Sequence, residues 1–311
     1  MKTVEMLARI VKGDIAALAK AITMVENRKK DYQKLLSGIY PLPGKALKIG
    51  ITGAPGSGKS SLIDKLITAL KAQGRPIAVL AVDPSSPLTG GALLGDRLRM
   101  IQHSNDPNVF IRSIASRGHL GGLSLSTQEI VDLLVASGKE TVIIETVGVG
   151  QSEVDIVNVA DVVLMVLNPD SGDEIQIFKA GIIEIADIFV INKADLGGSD
   201  NKISEIKNYF ASSARTPLIC STSVKEDKGI AELLAAIGQF QLEESGRIAE
   251  KRAAIKRNYV EKIVSERLLD EMRLDPGIED MLRTAAAANP FQLAEAIFQK
   301  IKSGVSHDKK N

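Results

Sequence analysis

The chain has 311 residues, 44% hydrophobic and 25% charged, enough for one large α/β domain with appendages or two modest domains. Its 39 basic and 38 acidic residues leave a net charge of +1, so no overall field steers it onto nucleic acid or an anionic membrane; with no Trp and 4% aromatics it lacks a stacking platform for single strands. The single cysteine, Cys220, excludes an internal disulfide. One Cys with three scattered histidines, His103, His119 and His307, excludes a Cys/His zinc cluster at the usual spacing. The N-terminal stretch mixes charged and apolar residues and has no signal-peptide core, and the apolar run 162–167 is far short of a membrane span. A cytoplasmic protein with neither nucleic acid nor membrane as partner is the expectation.

Residues 1–37 read as helix, because Leu7, Ile10, Val11 and Ile15, then Leu18, Ile22 and Val25, recur at helical spacing. Gly13-Asp14 supplies a break and an N-cap between two helices. The turn-rich joint Tyr40-Pro41-Leu42-Pro43-Gly44 then ends an N-terminal helical extension over 1–45. From residue 46 the texture changes to short β-branched runs alternating with amphipathic segments. Strands are expected at 47–52, 77–82, 109–114, 142–145, 162–167, 188–191 and 218–220, with a helix at 60–73 among the connections. Buried strands separated by helices predict an α/β domain over 46–244, a mostly parallel sheet covered on both faces. Ligands of such sheets sit at the carboxyl ends of the strands.

The first strand runs into Gly53-Ala54-Pro55-Gly56-Ser57-Gly58-Lys59-Ser60-Ser61, which fits the phosphate-loop pattern G-x-x-x-x-G-K-[S/T] between a strand and a helix. Glycines let backbone N–H groups turn toward a β-phosphate, and the helix N-terminus adds partial positive charge. Lys59 would reach the β and γ oxygens and the Ser60 hydroxyl would bind Mg²⁺. Asp83 ends the second strand. It reads either as a turn-initiating Asp before Pro84 or as a carboxylate of the Mg²⁺ shell, the latter favoured by its place at the same sheet edge. Asp96, in the Gly-rich run 88–96, is a weaker candidate, and 112–122 is a basic, Gly-bearing segment suited to ordering around nucleotide or partner.

The fourth strand ends in Glu145-Thr146-Val147-Gly148, where signalling GTPases carry Asp-x-x-Gly: the acid would hold Mg²⁺ through water and the Gly148 N–H would meet the γ-phosphate. Val149 stands close to the position of a water-orienting Gln, and Gln151 is two residues further on. Slow intrinsic hydrolysis, completed by a partner or a rearrangement, is expected. Asn192-Lys193-Ala194-Asp195 closes the sixth strand. The Asp195 carboxylate would accept from guanine N1–H and the N2 amine. Two charge-assisted bonds of about 1.5–3 kcal/mol each amount to roughly two to four decades of discrimination against adenine. Lys193 can cover the base with its alkyl stem and Asn192 can tie the loop to its neighbours. Ser221-Thr222-Ser223 lies where a backbone N–H would point at guanine O6. The site thus calls for GTP or GDP with Mg²⁺.

Beyond 245 the pattern returns to helix, with stripes Val260, Val264, Leu268, Met272 and Leu293, Ile297, Ile301. The residues alone fit equally helices docked on their own core and a dimerisation arm over 245–311.

Together, GAPGSGKSS at 53–61, VDPSSPLTGGALLGDRLRM at 82–100, FIRSIASRGHLGG at 110–122, ETVGVGQSE at 145–153 and NKADL at 192–196 resemble the MeaB/ArgK family of P-loop GTPases, over about residues 5–300. The resemblance implies a homodimeric G-protein chaperone of an adenosylcobalamin-dependent acyl-CoA mutase, methylmalonyl-CoA mutase first among them, that gates cofactor loading and protects the mutase. It implies that Ser60, Asp83, Asp96 and Glu145 surround Mg²⁺ or the γ-phosphate. It also makes 173–179 a mobile switch with Lys179 a catalytic contact, and the C-terminal helices a dimer arm. Nickel metallochaperones and transport-associated nucleoside triphosphatases are the alternatives. The first lacks its Cys/His handles here, and an ABC-type ATPase would need its own signature and no guanine-reading Asp.

Overall fold

Strand β1 (Leu47–Thr52) lies at the middle of a seven-stranded parallel sheet of order β3-β2-β4-β1-β5-β6-β7. The other strands are β2 (Ile77–Asp83), β3 (Val109–Ala115), β4 (Thr141–Thr146), β5 (Val162–Leu167), β6 (Ile188–Ile191) and β7 (Leu218–Ser221). The computed structural model describes residues 3–40, 42, 44–83, 100, 102–103, 105–115, 125–146, 152–169, 182–213, 217–283 and 289–307. The chain divides into two compact units, Met1–Arg252 and Ala253–Asn311.

The strands read as continuous apolar runs because both faces of the sheet are covered. Period-two alternation sends Ala78, Leu80, Val142, Ile144 and Val163 to one face. There they pack against helices α1 (Thr3–Val11), α2 (Ile15–Glu26), α3 (Tyr32–Ile39) and α5 (Leu125–Ala136). Val79, Ile143, Leu164 and Val166 go to the other face, under α4 (Lys59–Ala72) and α8 (Ile230–Glu243). A third cluster joins Met165, Leu167, Phe189 and Ile191 to Ile206 of α7 (Ser199–Tyr209). The N-terminal helices therefore share the core of the sheet. Ile10, Leu18, Ile22 and Leu35 are fully buried, each adding on the order of 1.5–3 kcal/mol.

Asp14 caps α2 by accepting from the Ala17 N–H at 2.9 Å, as the Gly13-Asp14 punctuation predicts. A second break, at 27–31, separates α2 from α3. It passes through left-handed Arg28 (φ 47°) and Asp31 (φ 69°) in a polar stretch without Gly or Pro, so residues 1–37 hold three helices and not two.

Helix α9 (Ser245–Leu274) starts on the first unit. Arg252 donates to the fully buried Asp161 (Nε 2.8 Å, Nη2 2.6 Å) and to Ala46 O (2.9 Å), while Arg247 reaches Asp187 at 2.7 Å. Asp161 also accepts from the Lys48 N–H at 2.9 Å, so the carboxylate is compensated on both oxygens. In the second unit α10 (Pro276–Arg283) is capped by Asp275, which accepts from Gly277 N–H (2.8 Å) and pairs with Lys300 (2.7 Å) of α11 (Pro290–His307).

Candidate functional site

The carboxyl ends of β1, β2, β4, β6 and β7 carry the residues singled out in the sequence. Between β1 and α4 the loop Gly53–Gly58 bends back on itself, and two of its glycines are obligatory. Gly53 has φ +140° and a Cβ there would stand 2.2 Å from Val166 O; Gly58 has φ +92° and a Cβ would stand 2.3 Å from Asn192 Nδ2. Gly56, at φ +79°, faces open space. Lys59 is buried at 8% exposure, and its ammonium donates to Gly53 O (2.7 Å) and Ala54 O (3.2 Å), which folds it back over the loop mouth. Pro55 is exposed, Ala54 half-buried, and Ser61 half-buried in the first turn of α4.

The loop is tied directly to the 192–195 segment. Asn192 donates through Nδ2 to Ser57 O (2.9 Å), Lys193 through Nζ to Gly56 O (2.8 Å), and Thr222 Oγ1 to Asn192 Oδ1 (3.1 Å). Lys193 takes a left-handed backbone (φ 58°), turning the chain into the short 3₁₀ turn Ala194–Leu196 that carries Asp195. Ser223 Oγ donates to Asp195 Oδ1 at 2.6 Å, and this bond, more than any nearby charge, holds the Asp195 carboxyl below the usual carboxylate range. The Asp195 carboxylate is thus held charged and fixed in direction by a residue just past β7.

On the phosphate side, Ser60 Oγ donates to Glu145 Oε1 at 2.8 Å. Glu145 lies beside Ile51 in the β1–β4 register and beside Ala81 in the β2–β4 register. Asp83 ends β2 at the same edge, and Asp83 and Glu145 are each only 2% exposed. One hydroxyl and two buried carboxylates form a hard oxygen set. That chemistry suits Mg²⁺, which takes one or two carboxylates and completes its shell with phosphate and water. Asp96, Gly148 and Lys179, with the rest of 173–179, lie outside the described residues.

Two further residues lie beside these segments. In Ser221-Thr222-Ser223, the Thr222 N–H is committed to Ile191 O (2.8 Å) and the Ser223 N–H to Lys228 O (3.0 Å). The next amide along the loop is that of Val224, a half-buried apolar residue whose type carries no signal for such a role. Asn168, one residue past β5, sends Nδ2 toward Gly56 O (3.4 Å); in sequence it is an Asn-Pro turn marker only.

A glycine-cradled loop at a strand–helix junction, laced to an Asn-Lys-x-Asp segment on a parallel sheet, defines a P-loop GTPase. The family model described as "Methylmalonyl Co-A mutase-associated GTPase MeaB" matches residues 18–276. The chain is 44% identical over 309 residues to the Pyrococcus horikoshii protein PH0274, covering 96% of this chain and 98% of the relative. It is 36% identical over 283 residues to the GTPase ArgK of Escherichia coli, covering 86% and 85%. The solved structure of a LAO/AO transport system kinase superposes with a TM-score of 0.69 at 29% identity, covering 96% of this chain and 97% of that one. The chain belongs to the MeaB family of GTPases. It binds guanine nucleotide and hydrolyses GTP. Among the described residues no helix is long and apolar enough to cross a membrane.

Proposed function

We propose that this GTPase is a homodimeric G-protein chaperone of an adenosylcobalamin-dependent acyl-CoA mutase, methylmalonyl-CoA mutase first, and that its nucleotide state gates adenosylcobalamin loading and protects the mutase. The match to the mutase-associated family over residues 18–276 carries the reading. At the nucleotide, Lys59 exchanges its bonds to Gly53 O and Ala54 O for the β and γ oxygens, which opens the loop around the phosphates. Ser60, Asp83 and Glu145 would hold Mg²⁺, which would supply positive charge against those oxygens, and Asp96, Gly148 and Lys179 would respond to the γ-phosphate. Asp195 reads the guanine N1–H and amine edge, and the Val224 N–H takes O6 beside the Ser221-Thr222-Ser223 run. The bonds from Asn192 and Lys193 to the phosphate loop support this reading, because they make base and phosphate binding one mechanical unit.

The test is affinity capture of purified methylmalonyl-CoA mutase by the full chain, loaded with GDP or with a non-hydrolysable GTP analogue, with turnover followed alongside. Capture that differs between the two states and a turnover that rises with mutase are the expected results. Equal capture in both, or none, refutes the chaperone role and leaves the GTPase assignment standing.

A further inference from the structure

On the face of the sheet covered by α4 and α8 there is a second cavity, a cleft of about 610 Å³ between these two helices. It lies against the first half of β1 and the first residue of β4 and reaches Lys65 and Asp227, and no residue of the phosphate loop or of 192–195 lines it. Its floor is aliphatic, from Leu47, Ile49 and Leu234. The space exists because the helices present small residues there: Ala69, Ala235 and Gly238, the last with nothing within 4 Å of a built Cβ. The volume falls in the range of small-molecule sites, about 300–1,000 Å³.

One end of the cleft is polar. Thr141 is 1% exposed, and its hydroxyl has no hydrogen-bond partner among the described residues. Native interiors rarely leave such an oxygen unmatched. The Thr141 N–H donates to Pro76 O (3.3 Å), which sets this residue beside Arg75. The only ion-pair partner of Arg75 among the described residues is Glu140, at a loose 3.7 Å with both side chains open to solvent. The other lining cation, Lys65, is engaged by Asp227 at 2.7 Å.

We propose that this cleft is an effector site for a small aliphatic carboxylic acid. Its carboxylate is read by Arg75 and the Thr141 hydroxyl, and its hydrocarbon lies on Leu47, Ile49 and Leu234. Both walls lead to the nucleotide. Helix α4 begins with Lys59 and Ser60. Helix α8 follows Gly229, which is packed so closely that a Cβ there would stand 2.1 Å from Ser221 O. The Lys65–Asp227 pair joins α4 to the turn closed by the Ser223–Lys228 pairing, the same Ser223 that aims Asp195. An occupant that sets the spacing of α4 and α8 therefore changes nucleotide affinity through differential binding to two arrangements. The inference rests on the nucleotide binding of the family and on no particular protein partner.

Titration calorimetry of the full chain with octanoate tests it, with 1-octanol as the uncharged comparator and GDP affinity measured with and without saturating octanoate. Saturable one-to-one binding of octanoate is expected, with octanol about tenfold weaker, the scale of one charge-assisted hydrogen bond. Arg75→Gln should weaken octanoate about tenfold and leave octanol unchanged. Ala235→Phe should fill the cleft and abolish both, and its retained GDP binding would show that it folds; Thr141→Val, nearly isosteric, serves as the second variant and should weaken octanoate. GDP affinity should move with saturating octanoate in the wild type and not in Ala235→Phe. Non-saturable uptake, equal binding of acid and alcohol, or indifference to Arg75→Gln overturns the site. An unchanged GDP affinity overturns its effector role.

Discussion

Asp195 is held in place by Ser223, and the guanine reading proposed for its carboxylate depends on that one bond. The Ser223 hydroxyl donates to Asp195 Oδ1 at 2.6 Å and accepts from the Glu226 N–H at 3.2 Å, so it is fixed from both sides. The hydrogen bond favours the charged carboxylate, which lowers its pKa; the Lys225 and Lys193 charges add in the same direction. A depressed pKa keeps the group ionised as pH falls, so guanine affinity is expected to stay flat from neutrality down to about pH 5, above the ordinary carboxylate range. Ser223→Ala removes the donor, raises the carboxyl pKa and moves the acid limb of GDP binding to higher pH. GDP affinity at neutral pH should fall about tenfold, as for a lost hydrogen bond to a charged group. Asp195→Asn should in turn shift preference from guanosine to xanthosine nucleotides by about two decades, because an amide matches the altered base edge. A pH series of GDP titrations that superposes for wild type and Ser223→Ala would remove Ser223 from this role.

At the scale of elements, the phosphate loop separates two kinds of glycine that look alike in sequence. Gly53 approaches backbone: any side chain meets Val166 O, which cannot move without displacing β5. Gly56 has the same left-handed freedom but open space around it. Gly56→Ala is therefore expected to cost about 1–2 kcal/mol, the left-handed penalty alone. Gly53→Ala adds a backbone clash and should cost more, on the order of 3 kcal/mol or above, in chemical denaturation of the nucleotide-free chain. Equal losses would show that β5 yields.

Much of this was legible beforehand. β1, β5 and β6 start and stop where their apolar runs do, and the other strands lie within a residue of expectation. What the sequence hid was tertiary. The 27–31 break passes through left-handed Arg28 and Asp31 in a charged run with neither Gly nor Pro, and the Val224 amide proposed for O6 has no side-chain signature. In Ser221-Thr222-Ser223, two of the amides are spent on Ile191 and Lys228, which only the pairing reveals.

Over the whole molecule, the two units differ in how they use apolar residues. In the first, the sheet and its helices bury theirs on both faces. In the second, α9 leaves Val260 and Val264 each 50% exposed and Leu268 42% exposed, at four-residue spacing on one stripe, and α11 leaves Phe291 87% and Phe298 59% exposed. Isolated exposed hydrophobics are ordinary, but a stripe repeated along a helix is the pattern of a helix–helix interface. This supports the homodimer of the proposed function, with α9 of one copy set on a second copy. Because these side chains are already half in water, replacing them should cost the single chain little, within about 0.5 kcal/mol each. The double variant Val264→Asp/Leu268→Asp is therefore expected to melt near the wild-type temperature when dilute and to keep GDP affinity. In sedimentation equilibrium it should run as a monomer where the wild type runs as a dimer. Buried like charges meeting across the dimer axis would carry that effect, so Val264→Lys should restore association when mixed with Val264→Asp. A wild type that stays monomeric through the micromolar range, or a double variant that dimerises as well as wild type, takes this stripe out of the assembly.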